Sequence, residues 1–356
     1  MYLYKIEEYL SNKDVFIIEP INLRKDWNSY FNQYHNATLC LLNKSVKNSY
    51  GLNYIFMPVM QILRHSYELL VKSQCITKGV NDKAIFESHD LEYLSNLCGM
   101  SIVLPYTFKD TNGDLFKYTH TNSSRLHFTE HVISLLDDCL QYVNVTEELN
   151  SCICHDPTLF SELHFENRFV VYPHECTSLG AVSTQYDEAL RILLDCIIEK
   201  YVTINDLFLP VLFLLRHSLE LKLKVSLQNL GNVIEKDKII RLRHNLTKLW
   251  NILSSKLSQA IDALQDSNFK TEGKVLLENV NKYIGVMAYL DANSKSLRYP
   301  ETSFGNVCNL PIEKTMVVNS LRLASVTDSF LCFGVEVLAE VGALQLGDDI
   351  LHELFD

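Results

Sequence analysis

Residues 56–72 are apolar on almost every face of a helix, and their exceptions are ordered. At ~100° per residue, Arg64, His65, Glu68 and Lys72 fall within one strip roughly 100° wide, and Ser66 points away from it. The pattern returns at residues 208–224, where Arg216, His217, Ser218, Glu220 and Lys224 hold the same places. Without gaps, 10 of the 17 positions are identical. Pro58 and Pro210 suit a first helical turn, where a missing N–H costs nothing. A helix this apolar is buried around most of its circumference, so its polar strip either meets solvent or lines a groove.

The repetition runs beyond these helices. Phe16-Ile17-Ile18-Glu19-Pro20 parallels Phe169-Val170-Val171-Tyr172-Pro173, each reading as a short strand ended by proline. Tyr34-His35-Asn36-Ala37 parallels Tyr186-Asp187-Glu188-Ala189, opening helical patterns that run to about Val46 and Tyr201. Up to this point the offset is 152 or 153 residues. His89-Asp90-Leu91 then matches His244-Asn245-Leu246, and more faintly Phe116-Lys117-Tyr118 matches Leu297-Arg298-Tyr299. An added helix-like segment at 256–289 widens the offset to 181 by Tyr299. Apolar helices at 125–145 and 315–342 close the two units. The pattern predicts a mainly α chain of two homologous helical bundles in tandem, 1–156 and 157–356, each with a minor strand at its start. No glycine-rich phosphate loop and no strand–helix alternation supports a dinucleotide or P-loop fold.

Charge and composition narrow the setting. The balance is 32 − 43 = −11, which argues against indiscriminate binding along nucleic acid. Lys222, Lys224, Lys236, Lys238, Arg241, Arg243 and Lys248 nevertheless concentrate positive charge, either as a solvated face or as an entry to the second strip. No apolar run reaches ~18 residues, so no membrane span is expected. With no basic, apolar leader at Met1 and ten scattered cysteines read as reduced thiols, the expected location is cytoplasmic.

The repeated strip has two readings. As structure, its Arg–Glu and Glu–Lys spacings are i,i+4 ion pairs. As chemistry, Arg and Lys hold phosphate, His moves a proton and Glu orients it. That inventory suits metal-independent RNA cleavage and passive nucleotide binding equally. On the chemical reading the catalytic candidates are Arg64, His65, Glu68, Arg216, His217 and Glu220, and the ligand-binding candidates are Lys72, His89, Lys224, His244 and Arg298. The two strips are then expected to face one shared, positively charged cleft. No cofactor or metal is expected: His65-x-x-Glu68 reverses the Glu-x-x-His order of di-iron bundles. A linker set of Cys152, Cys154, His155, His164, His174 and Cys176 has zinc-ligand chemistry, without the usual cysteine spacing.

On its Arg64-His65-Ser66-x-Glu68 and Arg216-His217-Ser218-x-Glu220 helices, each unit resembles the HEPN superfamily (higher eukaryotes and prokaryotes nucleotide-binding). The resemblance implies paired helical bundles, RNA or a nucleotide as ligand, and a ribonuclease role in phage defence or stress response. It also implies a protein partner from a defence or toxin–antitoxin operon. Ribonuclease members carry Arg, four residues, then His. Here the residues five after Arg64, Arg216 and Arg243 are Leu69, Leu221 and Lys248, so no catalytic residue carries over. The alternative is a non-catalytic interaction or scaffold protein whose repeated helices are structural or bind a protein partner.

Overall fold

A computed structural model describes residues 6–19, 26–47, 51–80, 82–100, 104–118, 127–128, 130–149, 167–173, 178–230, 242, 244–292, 294–301, 307–308 and 310–347. The fold is mainly α. Its helices in chain order are α1 (Ile6–Leu10), α2 (Trp27–Lys47), α3 (Phe56–Thr77), α4 (Ala84–Glu87), α5 (Leu91–Cys98) and α6 (Leu136–Leu149). They continue with α7 (Leu179–Ile198), α8 (Phe208–Asn229), α9 (Leu246–Ala263), α10 (Ser267–Asp291), α11 (Met316–Ser329) and α12 (Val335–Glu340). A five-residue π-helix, Phe330–Gly334, joins the last two.

The two repeated helices, α3 and α8, lie at the centre. In each, 19 of 22 residues are buried, as an apolar circumference demands. α2 packs against α3 and α7 against α8, and the pairs also touch one another, so residues of both stretches share one continuous core. α9 and α10 form a hairpin beside α8, and α11 packs on α10. Leu264 ends α9, and Asp266 starts α10 by accepting from the Asn268 and Phe269 N–H groups. The expected single segment at 256–289 is therefore two helices.

The strands fare differently. Val170–Val171 pairs antiparallel with Ile133–Ser134, as Ile133 opposite Val171 and Ser134 opposite Val170. The matching stretch of the first unit is not a strand. Lys13–Phe16 forms a 3-10 turn, and beyond it Ile18 N–H makes a single contact with the Lys314 carbonyl, without a ladder. The pairing at Ile133–Ser134 also delays α6, which begins at Leu136. The linker cysteines and histidines between Cys152 and Cys176, the unit boundary at 156–157, and Lys236, Lys238, Arg241 and Arg243 lie outside the described residues.

Contacts between the stretches recur in reciprocal pairs. The Gln33 side chain accepts from Leu209 N–H at the start of α8, and Gln185 accepts from Met57 N–H at the start of α3. Each satisfies a donor that the first helical turn leaves orphaned. Asn205 accepts from Glu19 N–H, and Asn53 accepts from Tyr172 N–H. Tyr34 donates to the Leu297 carbonyl and Tyr186 to the Phe116 carbonyl, both at 3.1 Å.

Candidate functional site

The polar strips of α3 and α8 face inward. Arg64, His65, Lys72 and Arg216 are each 1% exposed, and Glu68 and Glu220 are fully buried. His217 and Lys224 are buried too. The expectation of one open cleft lined by these residues is not met, because the groove each strip fills is occupied by other parts of the chain.

Glu68 is the hub of the first network. One oxygen accepts from Arg64 at 2.6 Å, and the other from Lys72 at 2.7 Å, from His89 Nδ1 at 2.9 Å and from Tyr299 at 3.0 Å. Glu220 repeats the arrangement. One oxygen accepts from Arg216 at 3.2 Å, and the other from Lys224 at 2.8 Å, from His244 Nδ1 at 3.1 Å and from Tyr118 at 2.6 Å. Burial alone would raise both carboxyls. Lys72, His89 and Arg64 outweigh it at Glu68, as Lys224 and His244 do at Glu220, and both sit well below the usual carboxylate range.

Two nine-residue loops complete the networks, Asp110-Thr-Asn-Gly-Asp-Leu-Phe-Lys-Tyr118 and Asp291-Ala-Asn-Ser-Lys-Ser-Leu-Arg-Tyr299. The first aspartate of each faces an arginine: Asp110 lies 2.8 Å from Arg64 Nε, and Asp291 lies 3.7 Å from Arg216 Nε. The other oxygen of Asp110 accepts from the Gly113, Asp114 and Leu115 N–H groups, as that of Asp291 does from Lys295 and Ser296. Gly113 and Ser294 turn the loops with φ of +73° and +57°. At Gly113 a Cβ would meet the Arg64 guanidinium at 3.3 Å, so a side chain there would crowd the ion pair. Each loop's terminal tyrosine then crosses to the other network's glutamate.

The histidines separate into two kinds. His65 and His217 bond the Arg298 and Lys117 carbonyls through Nε2 at 2.9 and 3.2 Å. A carbonyl only accepts, so Nε2 carries the hydrogen in each. Burial drives His65 well below the usual imidazole range and His217 down to about 3, so both are neutral packing residues at physiological pH. His89 and His244 have side chains 36% exposed. Their Nδ1 atoms donate to the buried glutamates, which leaves Nε2 as the outward nitrogen.

Of the proposed site residues, the structure brings Arg64, Glu68, Lys72 and His89 together, and likewise Arg216, Glu220, Lys224 and His244. Arg298 stands apart from both glutamates, bonding the Ser294 carbonyl through Nε at 2.7 Å. Sequence reasoning missed Asp110, Asp291 and the roles of Tyr118 and Tyr299. The shared offset of 181 between the aspartates, Asn112 and Asn293, and the tyrosines is the signal that finds them. Among the described residues no group of three or more His, Cys, Asp or Glu is placed to hold a metal ion, and no helix is long and apolar enough to cross a membrane. Comparison with known proteins finds no matching family model, no matching curated protein and no matching solved structure.

Proposed function

We propose that this chain is a non-catalytic interaction protein, and that its Arg-His-Ser-x-Glu helices are structural keys. The reading takes the chain as an internal pseudo-dimer of two related helical units locked in one register. The observation that carries it is charge balance among buried side chains. Arg64 and Lys72 face Glu68 and Asp110, and Arg216 and Lys224 face Glu220 and Asp291. Nothing in either set calls for an external anion. Removing one partner from such a pair costs about 3–5 kcal/mol, because it strands a buried charge. Arg216→Ala should therefore lower the melting temperature strongly. A variant that melts like the parent would overturn the scaffold role.

A second reading, nucleotide or RNA binding with metal-independent cleavage in the manner of HEPN proteins, draws support from His89 and His244. Each is an outward imidazole braced by a carboxylate, the arrangement a general base needs. Cleavage of single-stranded RNA in the presence of a chelator, lost in His89→Ala or His244→Ala while folding persists, would favour this reading over the first.

A further inference from the structure

Lys222 on α8 stands between two carboxylates. Its ammonium lies 2.9 Å from Asp187 on α7 and meets Asp328 in the last turn of α11. All three side chains are buried, and among the described residues neither aspartate pairs with another cation. One ammonium against two carboxylates leaves a negative charge in excess, in a place where an unpaired charge is costly. The other titratable groups facing the pair do not balance it. Tyr283 on α10 and Cys332 in the π-helix are both pushed up by burial and then by Asp328, the thiol to about 11, so both stay neutral. Burial alone would lower Lys222, but the two aspartates outweigh it and the lysine keeps its charge. Asp187 is raised: burial is the main cause, Lys222 opposes it and Asp328 adds to it.

The triad sits at a mechanical junction. Two residues beyond Asp328 the π-helix begins, a rare turn that recurs at functional sites. Ser226, one turn along α8 from Lys222, donates to its Leu331 carbonyl at 3.2 Å. Lys222–Asp328 and Ser226–Leu331 are thus two polar ties that hold the end of α11 and the π-helix on α8. Between them lies a water-sized cavity of about 10 Å³, walled by Ser218, Lys222, Tyr283, Thr327 and Asp328 among apolar side chains. The cavity is too small for a hydrated cation, and Lys222 on its wall repels a bare one, so the counter-charge that fits is a proton. The first half packs the same helix pair differently. At the equivalent places, 152 residues earlier, stand His35 and Leu70, and Ser66 meets the Tyr142 hydroxyl at 2.7 Å.

We propose that Asp187, Lys222 and Asp328 form a proton-operated latch: at neutral pH the triad holds one proton between its two carboxyls, and losing it loosens the end of α11 and the π-helix from α8. The proton belongs to the pair rather than to either aspartate. Once the latch opens, each carboxyl returns to its ordinary value near 3.9. Between that value and the raised one of the closed pair, opening releases a proton, so it becomes about tenfold more frequent with each pH unit. Burial lifts such groups by up to about 3–5 units, which carries the window to neutral pH. The latch stands apart from the choice between scaffold and nuclease, since neither glutamate network takes part in it.

The test is amide hydrogen exchange of the full chain, corrected for the intrinsic rate, with infrared spectra of the carboxylic-acid C=O stretch. From about pH 5 to about pH 7, exchange across residues 316–340 should speed up about a hundredfold relative to Asp187→Asn, while α3 shows no such change. At about pH 7 the parent should carry one acid band more than Asp187→Asn or Asp328→Asn. Asp262→Asn, at an exposed pair with Lys274, should match the parent in both measurements. Should the triad variants fail to fold, α3 in the parent serves as the reference for exchange, and loss of one acid band on raising the pH replaces the comparison of spectra. No extra acid band, or an exchange ratio that stays flat with pH, would overturn the proton. An equal change at α3 would overturn the latch, because the whole chain would then be opening.

Discussion

Tyr118 and Tyr299 serve each other's halves. Tyr118 follows the loop that holds Arg64 yet donates to Glu220, and Tyr299 follows the loop that faces Arg216 yet donates to Glu68. Each ring also lies beside the far network's lysine, Lys224 Nζ at 4.2 Å from the Tyr118 centroid and Lys72 Nζ at 5.1 Å from that of Tyr299. The crossing makes the two networks one mechanical unit.

We predict that Tyr118→Phe and Tyr299→Phe each destabilise the whole chain by about 1.5–3 kcal/mol, the worth of a hydrogen bond to a charged group. Both should shift a single cooperative urea transition. Loss of one half's signal alone, with the other half's transition unmoved, would contradict the exchange.

Glu68→Ala and Glu220→Ala should be the most damaging substitutions in the interior, at about 3–5 kcal/mol each. Either one leaves an arginine and a lysine buried beside the space the carboxylate filled. The double variant Lys72→Met/Glu68→Gln, which removes one charge of each sign, should recover part of the loss in a denaturant melt. No recovery would mean that packing rather than charge sets the cost.

Acid should destabilise the protein from about pH 6.5 downward. His217 binds a proton near 3 when folded and near 6.5 when unfolded, so between those values the unfolded state takes up more protons and stability falls with pH. His65 acts the same way, and Glu68 and Glu220, depressed in the fold, add their loss below about 4.3. Replacing both buried imidazoles, as His65→Asn/His217→Asn, should flatten the stability curve between about pH 4 and 6.5. An unchanged slope would refute the assignment of these imidazoles as neutral.

On the alkaline side the sign reverses its source. Lys117 binds its proton near 7 in the fold and near 10.4 in the unfolded chain, so it penalises the native state fully below 7. Stability should rise relative to Lys117→Met as pH climbs from about 7 to 10. Parallel curves for the two proteins would show that Lys117 keeps its proton in the fold.

The helices were legible where apolar patterning is dense. α3 and α8 begin at Phe56 and Phe208 as the repeat predicts, because a helix buried on nearly all sides leaves an unbroken apolar signature. The identities Arg, His, Glu and Lys marked the interior networks, but periodicity cannot say whether a polar strip faces a groove or a loop packed into it. Asp110 and Asp291 were hidden because their loops share few identities and stand at a different offset from the helices. The start of α10 was missed although Asp266 before Ser267 is a capping signal. The first unit's expected strand failed because strand character needs a partner, and Ile18 finds one carbonyl rather than a ladder.

The crossing also sets a timetable for synthesis. Glu68 waits for a tyrosine 231 residues downstream of it. At cellular translation rates the 181 residues between Tyr118 and Tyr299 take roughly 10–35 s to make. Through that interval the nascent first half carries a glutamate, an arginine and a lysine whose shared enclosure still lacks Tyr299. Completion comes late, when the last quarter of the chain arrives and closes both chambers together.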